Sequence, residues 1–420
     1  MDYDAVVKAL YERHRSVRDA GFKGDAYKPG LEAMASYADF LGHPERRFRC
    51  IHVAGTNGKG SVCSMLAAAL AAEGFRVGLY TSPHLIDFRE RMKIVRRSGG
   101  RLHSTMISRS AVCRFMECFD KDGLSFFEIT TGMAFSWFAE KEVDIAVIET
   151  GLGGRLDSTN IITPDLSVIS SIGLDHCDLL GNTRDEIAFE KAGIFKPGVP
   201  ALVWGRDPET SPVFERVAAS AGSDLFYAED YPVPGSFPVS EMDLGGACIE
   251  LNLRTVLAAL CLLHIPADKK AVTFKAITRA AAITGLRGRW EILRRNPLII
   301  CDIGHNPPAL KANFEKLAAI RAGRPLLIVY GVMADKAIDD IKPLLPPDAE
   351  YYFVEPETPR ALPLEALALK LNTFHGVSAG KVTQGIKQAL ARASVLQDPI
   401  IYIGGSTFVV SEAITFIDTI

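Results

Sequence analysis

Cys50-Ile51-His52-Val53 runs without a break into Ala54-Gly55-Thr56-Asn57-Gly58-Lys59-Gly60-Ser61, and an Ala-rich helical pattern follows to about Glu73. A short strand, a glycine-rich turn and a helix N-terminus in that order point to an α/β architecture. They also aim several backbone N–H groups at one anion. Glycines let the main chain approach phosphates closely, and Lys59 brings a point charge to the β- and γ-oxygens. A plain glycine turn is the bland alternative, and the strand–turn–helix context favours a nucleotide site over it. Gly60 stands where a Ser or Thr hydroxyl usually ligates Mg²⁺, so Ser61 or another hydroxyl has to replace it. Thr81-Ser82-Pro83-His84, at the end of the next strand, offers Ser82 if the two strands are neighbours.

The rest of the chain repeats the alternation of short apolar runs and helical patterns that marks a parallel sheet with crossover helices. Strands are expected at Cys50–Val53, Val77–Tyr80, Val143–Ile148, Leu166–Ser170 and Ala201–Trp204, with helices at Leu251–His264 and Lys269–Ala282. Thr284-Gly285-Leu286-Arg287-Gly288-Arg289 reads as a hinge, after which strands resume at Leu298–Cys301, Leu326–Tyr330, Tyr351–Val354 and Ile400–Ile403. The expected fold is therefore a P-loop-type parallel-sheet ATPase domain, residues 1–285, followed by a smaller Rossmann-like α/β domain, residues 286–420. Glu229 to Gly246, with three prolines and four acidic residues, is expected to be an irregular excursion or hairpin within the first domain.

Composition limits the partners. Forty-seven basic against fifty acidic residues leave a net charge of −3, so no basic excess argues for nucleic acid. The longest apolar stretch, Met65 to Ala72, is far short of the ~20 residues that cross a bilayer. The charged N-terminus has no apolar signal core. The eight cysteines are scattered without a CxxC pair and read as reduced thiols. A cytoplasmic protein is expected, bound to neither nucleic acid nor membrane, and a monomer.

Three further residues of the first domain stand out, two at strand ends and one in a helix. Glu149 ends an apolar strand and opens Thr150-Gly151-Leu152-Gly153-Gly154-Arg155-Leu156-Asp157-Ser158-Thr159-Asn160, the usual place for an acid that holds Mg²⁺ beside a nucleotide. Asp175-His176 follows the next strand, which makes His176 a candidate metal ligand. Lys191 sits late in a helix expected to start near Asn182, and alone it reads as a solvated lysine.

Taken together, GTNGKGS with TSPHL after it, FFEITT, IETGLGGRLDSTN, GLDH, FEKAGI, GLRGRW and DIGHNP resemble the folylpolyglutamate synthase and dihydrofolate synthase family of the Mur ligase superfamily. The resemblance runs through nearly the whole chain. It implies an ATP-dependent, ADP-forming ligase that joins L-glutamate to dihydropteroate or a reduced folate. Carried over by position, Gly58, Lys59, Gly60 and Ser61 surround the ATP phosphates, and Asn252, Arg289 and Asp302 contact the nucleotide. Ser82, Glu149 and His176 match Mg²⁺ ligands of the family, which implies two ions, and Lys191 matches a lysine carried as a carbamate. His305 matches a box near the ATP and glutamate sites. Ser125, Phe126, Phe127 and Glu128, then Arg155, Leu156, Asp157 and Ser158, match stretches that line the pterin pocket. Lys28, Pro29, Gly30 and Leu31 match a third, weaker stretch. The family usually has Asp-Gly-Ala-His-Asn-Pro where this chain reads Asp302-Ile303-Gly304-His305-Asn306-Pro307.

The implied chemistry has a physical logic. A carboxylate becomes an acylating agent only once its oxygen leaves as phosphate, so catalysis lies in lining up and neutralising two anions. Arg289 at the hinge is expected to sense ATP and help closure, which excludes water. Three rivals remain at this stage. A cell-wall Mur ligase would carry a further UDP-binding domain, whereas about 50 residues precede the P-loop here. A P-loop kinase or hydrolase would not need the second domain. A non-catalytic binding protein would not need Lys59, Glu149 and His176 together. Within the family, a monofunctional folylpolyglutamate synthase is the alternative to a bifunctional enzyme.

Overall fold

Strands that are apolar on both sides need helices on both faces of their sheet, and the chain supplies them. The computed structural model describes residues 2–14, 30–235, 237, 239–246, 248–265 and 271–420. It divides into one unit of residues up to Asp243 plus Ile249–Leu286, and a second of Leu244–Cys248 plus Arg287–Ile420.

In the first unit β1 (Arg49–Ala54), β2 (Val77–Tyr80), β3 (Met92–Ser98), β4 (Arg101–Met106), β5 (Ile145–Glu149), β6 (Leu166–Ile169), β7 (Ala201–Val203) and β8 (Leu225–Tyr227) form one sheet in the order β4-β3-β2-β5-β1-β6-β7-β8. From β2 to β8 across the sheet the pairings are parallel, while β3 and β4 add an antiparallel hairpin at one edge. Arg96, Arg97 and Arg101 of that hairpin are exposed, which discourages edge-to-edge pairing. β1 lies between β5 and β6, with Val53 opposite Glu149 and Ala54 opposite Ile169. The chain leaves β1 toward one side and later returns to the other, so the loop after β1 opens at a topological switch point.

The helix Lys59–Ala72 is buried from Gly60 to its end. Its all-round small and apolar sequence suits a helix enclosed between the sheet and the helices Ile249–Leu262, Ala271–Thr278 and Ala280–Thr284. Two expectations change here. β1 and β2 are not neighbours, because β5 is inserted between them. The helix expected over Lys269–Ala282 is broken at Arg279 into two, the second closed by Gly285 in a left-handed conformation; Lys269 itself lies outside the described residues.

The second unit has its own sheet, β13-β12-β11-β14-β10-β9, from β9 (Glu291–Arg295), β10 (Leu298–Cys301), β11 (Leu326–Tyr330), β12 (Glu350–Glu355), β13 (Gly376–Lys381) and β14 (Ile400–Gly404). All pairings are parallel except β9 with β10. The stretch 229–246 does not stay in one domain, since Leu244–Cys248 joins the second unit and Gly245 lies flat against the Trp290 ring. No helix among the described residues is long and apolar enough to cross a membrane.

Candidate active site

The loop after β1 owes its shape to two glycines. Gly58 has φ 86° and carries the side chain of Asn252 where a Cβ would stand, and Gly55 has φ 151° with Ser170 in the same relation. Asn252 is thereby placed against the loop at Gly58. The loop is also docked on the segment after β6. Thr56 N–H donates to the Ser171 carbonyl at 2.8 Å, Asn57 N–H to Ser171 Oγ at 3.0 Å, and both Ser170 and Ser171 hydroxyls donate to the Asn57 carbonyl. Thr56 and Gly173 exchange a further pair of hydrogen bonds at 3.0 Å. These hydroxyl residues escaped the sequence reading, because a serine pair after a strand forms no motif.

Lys59 begins the helix and curls back, its Nζ donating to the Gly55 carbonyl at 2.9 Å. Lys191 comes from the helix Arg184–Ala192, whose start is fixed by Thr183 and Glu186 in a capping box. Its Nζ donates to the same Gly55 carbonyl, also at 2.9 Å. Lys191 is 4% exposed, so the reading of it as a solvated lysine gives way to a buried amine. Burial, reinforced by the Lys59 ammonium and opposed by Asp175 and Asp157, pulls its pKa down to about 7.

Glu149, 3% exposed at the end of β5, accepts a hydrogen bond from Ser82 N–H at 3.1 Å. Ser82 thus reaches the site through the β5 end rather than as a neighbour of the phosphate loop. His176 adopts φ 53° and keeps its side chain 30% exposed, with Nε2 3.8 Å from Asp175 Oδ2. Among the described residues no three His, Cys, Asp or Glu side chains stand close enough together to hold an ion. Ser82, Glu149 and His176 supply a hydroxyl, a carboxylate and an imidazole. This donor set suits a divalent cation only if a further oxygen comes from elsewhere.

Two of the stretches matched to the pterin pocket approach each other where the Phe127 ring meets Gly151. Ser125 and Glu128 cap their own helix, Phe126–Glu140, through bonds of 2.6 and 3.2 Å, and Phe126 is buried and stacked on Tyr11 at 4.8 Å. Phe127 is partly exposed and its ring covers Gly151. Across from it, Asp157 is buried and accepts from Leu152 N–H at 2.8 Å and Thr159 N–H at 3.0 Å. Burial raises the Asp157 carboxyl against these bonds. Arg155 pairs with Glu190 at 2.7 Å, and Asn160 Nδ2 donates to the Arg155 and Gly193 carbonyls, which ties this loop to the end of the Lys191 helix. Leu156 is partly exposed and Ser158 is buried. Gly30 and Leu31 precede the helix Glu32–Phe40, while Lys28 and Pro29 lie outside the described residues.

In the second unit Asp302 is buried. It accepts from Trp290 N–H and Gly304 N–H, each at 2.7 Å, and from Asn313 Nδ2 at 2.6 Å. Burial raises its pKa, and the nearby Arg289 guanidinium is among the influences that oppose this. A Cβ on Gly304 would press on Asp302 and Asn313, which accounts for glycine where the family pattern has alanine. His305 Nδ1 lies 2.9 Å from the Ile303 carbonyl, to which it donates.

Comparison with known proteins gives the family. Residues 53–230 match the Mur ligase middle domain, and residues 288–406 match the Mur ligase glutamate ligase domain. The chain is 31% identical over 394 residues to the folylpolyglutamate synthase of Lacticaseibacillus casei, covering 88% of this chain and 90% of that one. It is 33% identical over 401 residues to the dihydrofolate synthase/folylpolyglutamate synthase of Escherichia coli K12, covering 93% and 91%. A crystal structure of a bifunctional folylpolyglutamate synthase/dihydrofolate synthase with Mn, AMPPNP and L-glutamate bound superposes with a TM-score of 0.82 at 29% identity, covering 99% of this chain and 98% of that one. With a phosphate loop that gathers two lysines on one carbonyl, and with relatives matched along almost its full length, the chain belongs to the folylpolyglutamate synthase/dihydrofolate synthase family of Mur ligases.

Proposed function

We propose that the protein is an ADP-forming ligase that joins L-glutamate to dihydropteroate and to reduced folates through an acyl phosphate. The observation that carries the reading is the meeting of Lys59 and the near-neutral Lys191 at the Gly55 carbonyl, beside the phosphate loop. Lys59 and the N–H groups of 58–61 orient the γ-phosphate toward the substrate carboxylate and balance the charge that develops on transfer. Phe127 and the loop 151–158 receive the pterin ring. On the family pattern, Arg289 and Asp302 are assigned to nucleotide binding and His305 to ATP and glutamate. His305 is supported by the Nδ1–H bond that orients its ring, and Asp302 by the three bonds that shape its turn.

Mg²⁺ is implied by the family. When bound it supplies Lewis-acid stabilisation of the phosphoryl and acyl oxygens. Ser82, Glu149 and His176 would hold it in two sites, with Lys191 as a carbamate giving the missing oxygen. The buried, near-neutral amine supports that modification, because only an unprotonated amine reacts with CO₂. The incoming glutamate must present an unprotonated amine to the acyl phosphate, and water must be kept out until it does.

The L. casei relative is named for polyglutamylation alone and the E. coli relative for both activities. Measuring ADP release and glutamylated product with dihydropteroate and tetrahydrofolate in parallel separates the cases. Turnover on both supports the bifunctional reading. Turnover on tetrahydrofolate alone reduces it to folylpolyglutamate synthase, and ADP release without glutamate contradicts the ligase.

A further inference from the structure

His52 is an imidazole in an apolar layer. Side chains alternate along β1, so His52 shares the face of Cys50, which packs in the core with Ile129 and Met133 of the helix Phe126–Glu140. It is fully buried, and its Nε2 lies 2.8 Å from Thr159 Oγ1. The Thr159 hydroxyl donates in turn to Asp157 Oδ1. The direction of this chain follows from an ionised Asp157, which its own loop surrounds with donors rather than acceptors, at Leu152 N–H and Thr159 N–H. The Thr159 proton goes to the carboxylate, so His52 must donate from Nε2 and carry a bare Nδ1. That Nδ1 has no hydrogen-bond partner among the described residues. In the opposite polarity a protonated Asp157 would donate to Thr159 and Thr159 to Nε2, leaving a buried Nδ1–H without an acceptor, a worse arrangement. Burial holds the imidazole neutral, with a pKa near 3, so His52 has a single N–H to give.

A leucine would fill this position without stranding a buried nitrogen, so packing alone gives no reason for histidine. The relay gives one. Asp157 is held from three sides: Leu152 N–H on Oδ2, and Thr159 N–H and hydroxyl on Oδ1. With His52 donating to the hydroxyl oxygen, the one proton of that hydroxyl is left for Asp157. We infer that His52 is a positioning residue which, through Thr159, fixes the Asp157 carboxylate as a hydrogen-bond acceptor in the substrate loop 151–158. His52 lies two residues before Ala54, so the strand that leads into the phosphate loop also sets the geometry of the loop assigned to the pterin ring. This inference rests on the assignment of loop 151–158 to the pterin substrate.

The test uses His52→Leu, His52→Gln, Thr159→Val and Asp157→Asn in the full-length protein, with KM for the pterin substrate, KM for ATP and kcat measured separately. Glutamine can place its amide N–H close to the position of Nε2, whereas leucine keeps the bulk and loses the donor. His52→Leu should raise the pterin-substrate KM about tenfold with ATP KM unchanged, and His52→Gln should restore most of it. Thr159→Val breaks the relay without touching β1 and should reproduce the leucine effect, which covers the case of a poorly folded strand variant. In an Asp157→Asn background, His52→Leu should add nothing. If Asp157→Asn leaves the pterin-substrate KM unchanged, the assignment of the loop falls and the relay with it. If Asp157→Asn raises that KM while His52→Leu and Thr159→Val do not, the relay is refuted and the loop assignment stands. Equal rises in both KM values for His52→Leu, or no recovery with His52→Gln, also refute the relay.

Discussion

Lys59 and Lys191, 132 positions apart in sequence, both donate from Nζ to the Gly55 carbonyl at 2.9 Å. Two ammonium ions on one oxygen repel, and the buried partner is the one that gives up its proton most readily. Lys191 accordingly has a pKa near 7, with burial as the largest cause and Lys59 the next.

Carbamylation should therefore depend on pH through the free amine. Below about pH 7 the ammonium form dominates and cannot react with CO₂; above it the neutral amine is available. Activity in bicarbonate-equilibrated buffer should rise through about pH 7, and a ¹³C-carbamate resonance should rise with it. Lys191→Arg should be inactive and lack the resonance. Full activity in the arginine variant would show that only positive charge is needed.

The same lysine should leave a mark on stability. Its ordinary pKa is 10.5 and its folded value about 7, so between these pH values the unfolded chain holds a proton that the folded protein does not. Folding stability measured without CO₂ should climb with pH across that window, and the penalty should be full below it. Lys191→Met should flatten the climb. An unchanged slope in that variant would place the lysine in a solvated setting.

Gly58→Ala should be severe for two independent reasons. Its φ of 86° strains an alanine by roughly 1–2 kcal/mol, and the new methyl meets the Asn252 side chain. Thermal melts with and without ATP should show a lower Tm and the loss of most nucleotide-induced stabilisation. A wild-type ATP shift in this variant would contradict the placement of Asn252 against the loop.

The phosphate loop and the central strands were legible because they rest on local signals: glycines at left-handed positions, a helix start and short runs buried on both faces. The order of the strands was not. β5 enters between β1 and β2 only after the β3–β4 hairpin has been made, a long-range choice that leaves no trace at Ser82. Lys191 shows the same limit, since its helix reads as exposed while its amine ends against a carbonyl 136 residues away in sequence. The break at Arg279 and the passage of Leu244–Cys248 into the second unit are likewise tertiary outcomes.

Charge neutralisation at the phosphates should be visible in kinetics. Lys59→Ala and Glu149→Gln should each lower kcat on the order of 10²-fold, and the glutamine variant should need more Mg²⁺ for half-maximal rate. Near-wild-type rates with unchanged Mg²⁺ dependence in both would remove these residues from the reaction.

The central claim is that phosphoryl transfer here serves amide formation. It is tested most directly by following ADP and product mass together, with ATP, L-glutamate and either dihydropteroate or tetrahydrofolate, and with each component omitted in turn. The account predicts one ADP for each glutamyl residue added, on both acceptors, and neither ADP nor product when glutamate is left out. Steady ADP release without glutamate, or ADP with no gain in product mass, would contradict it.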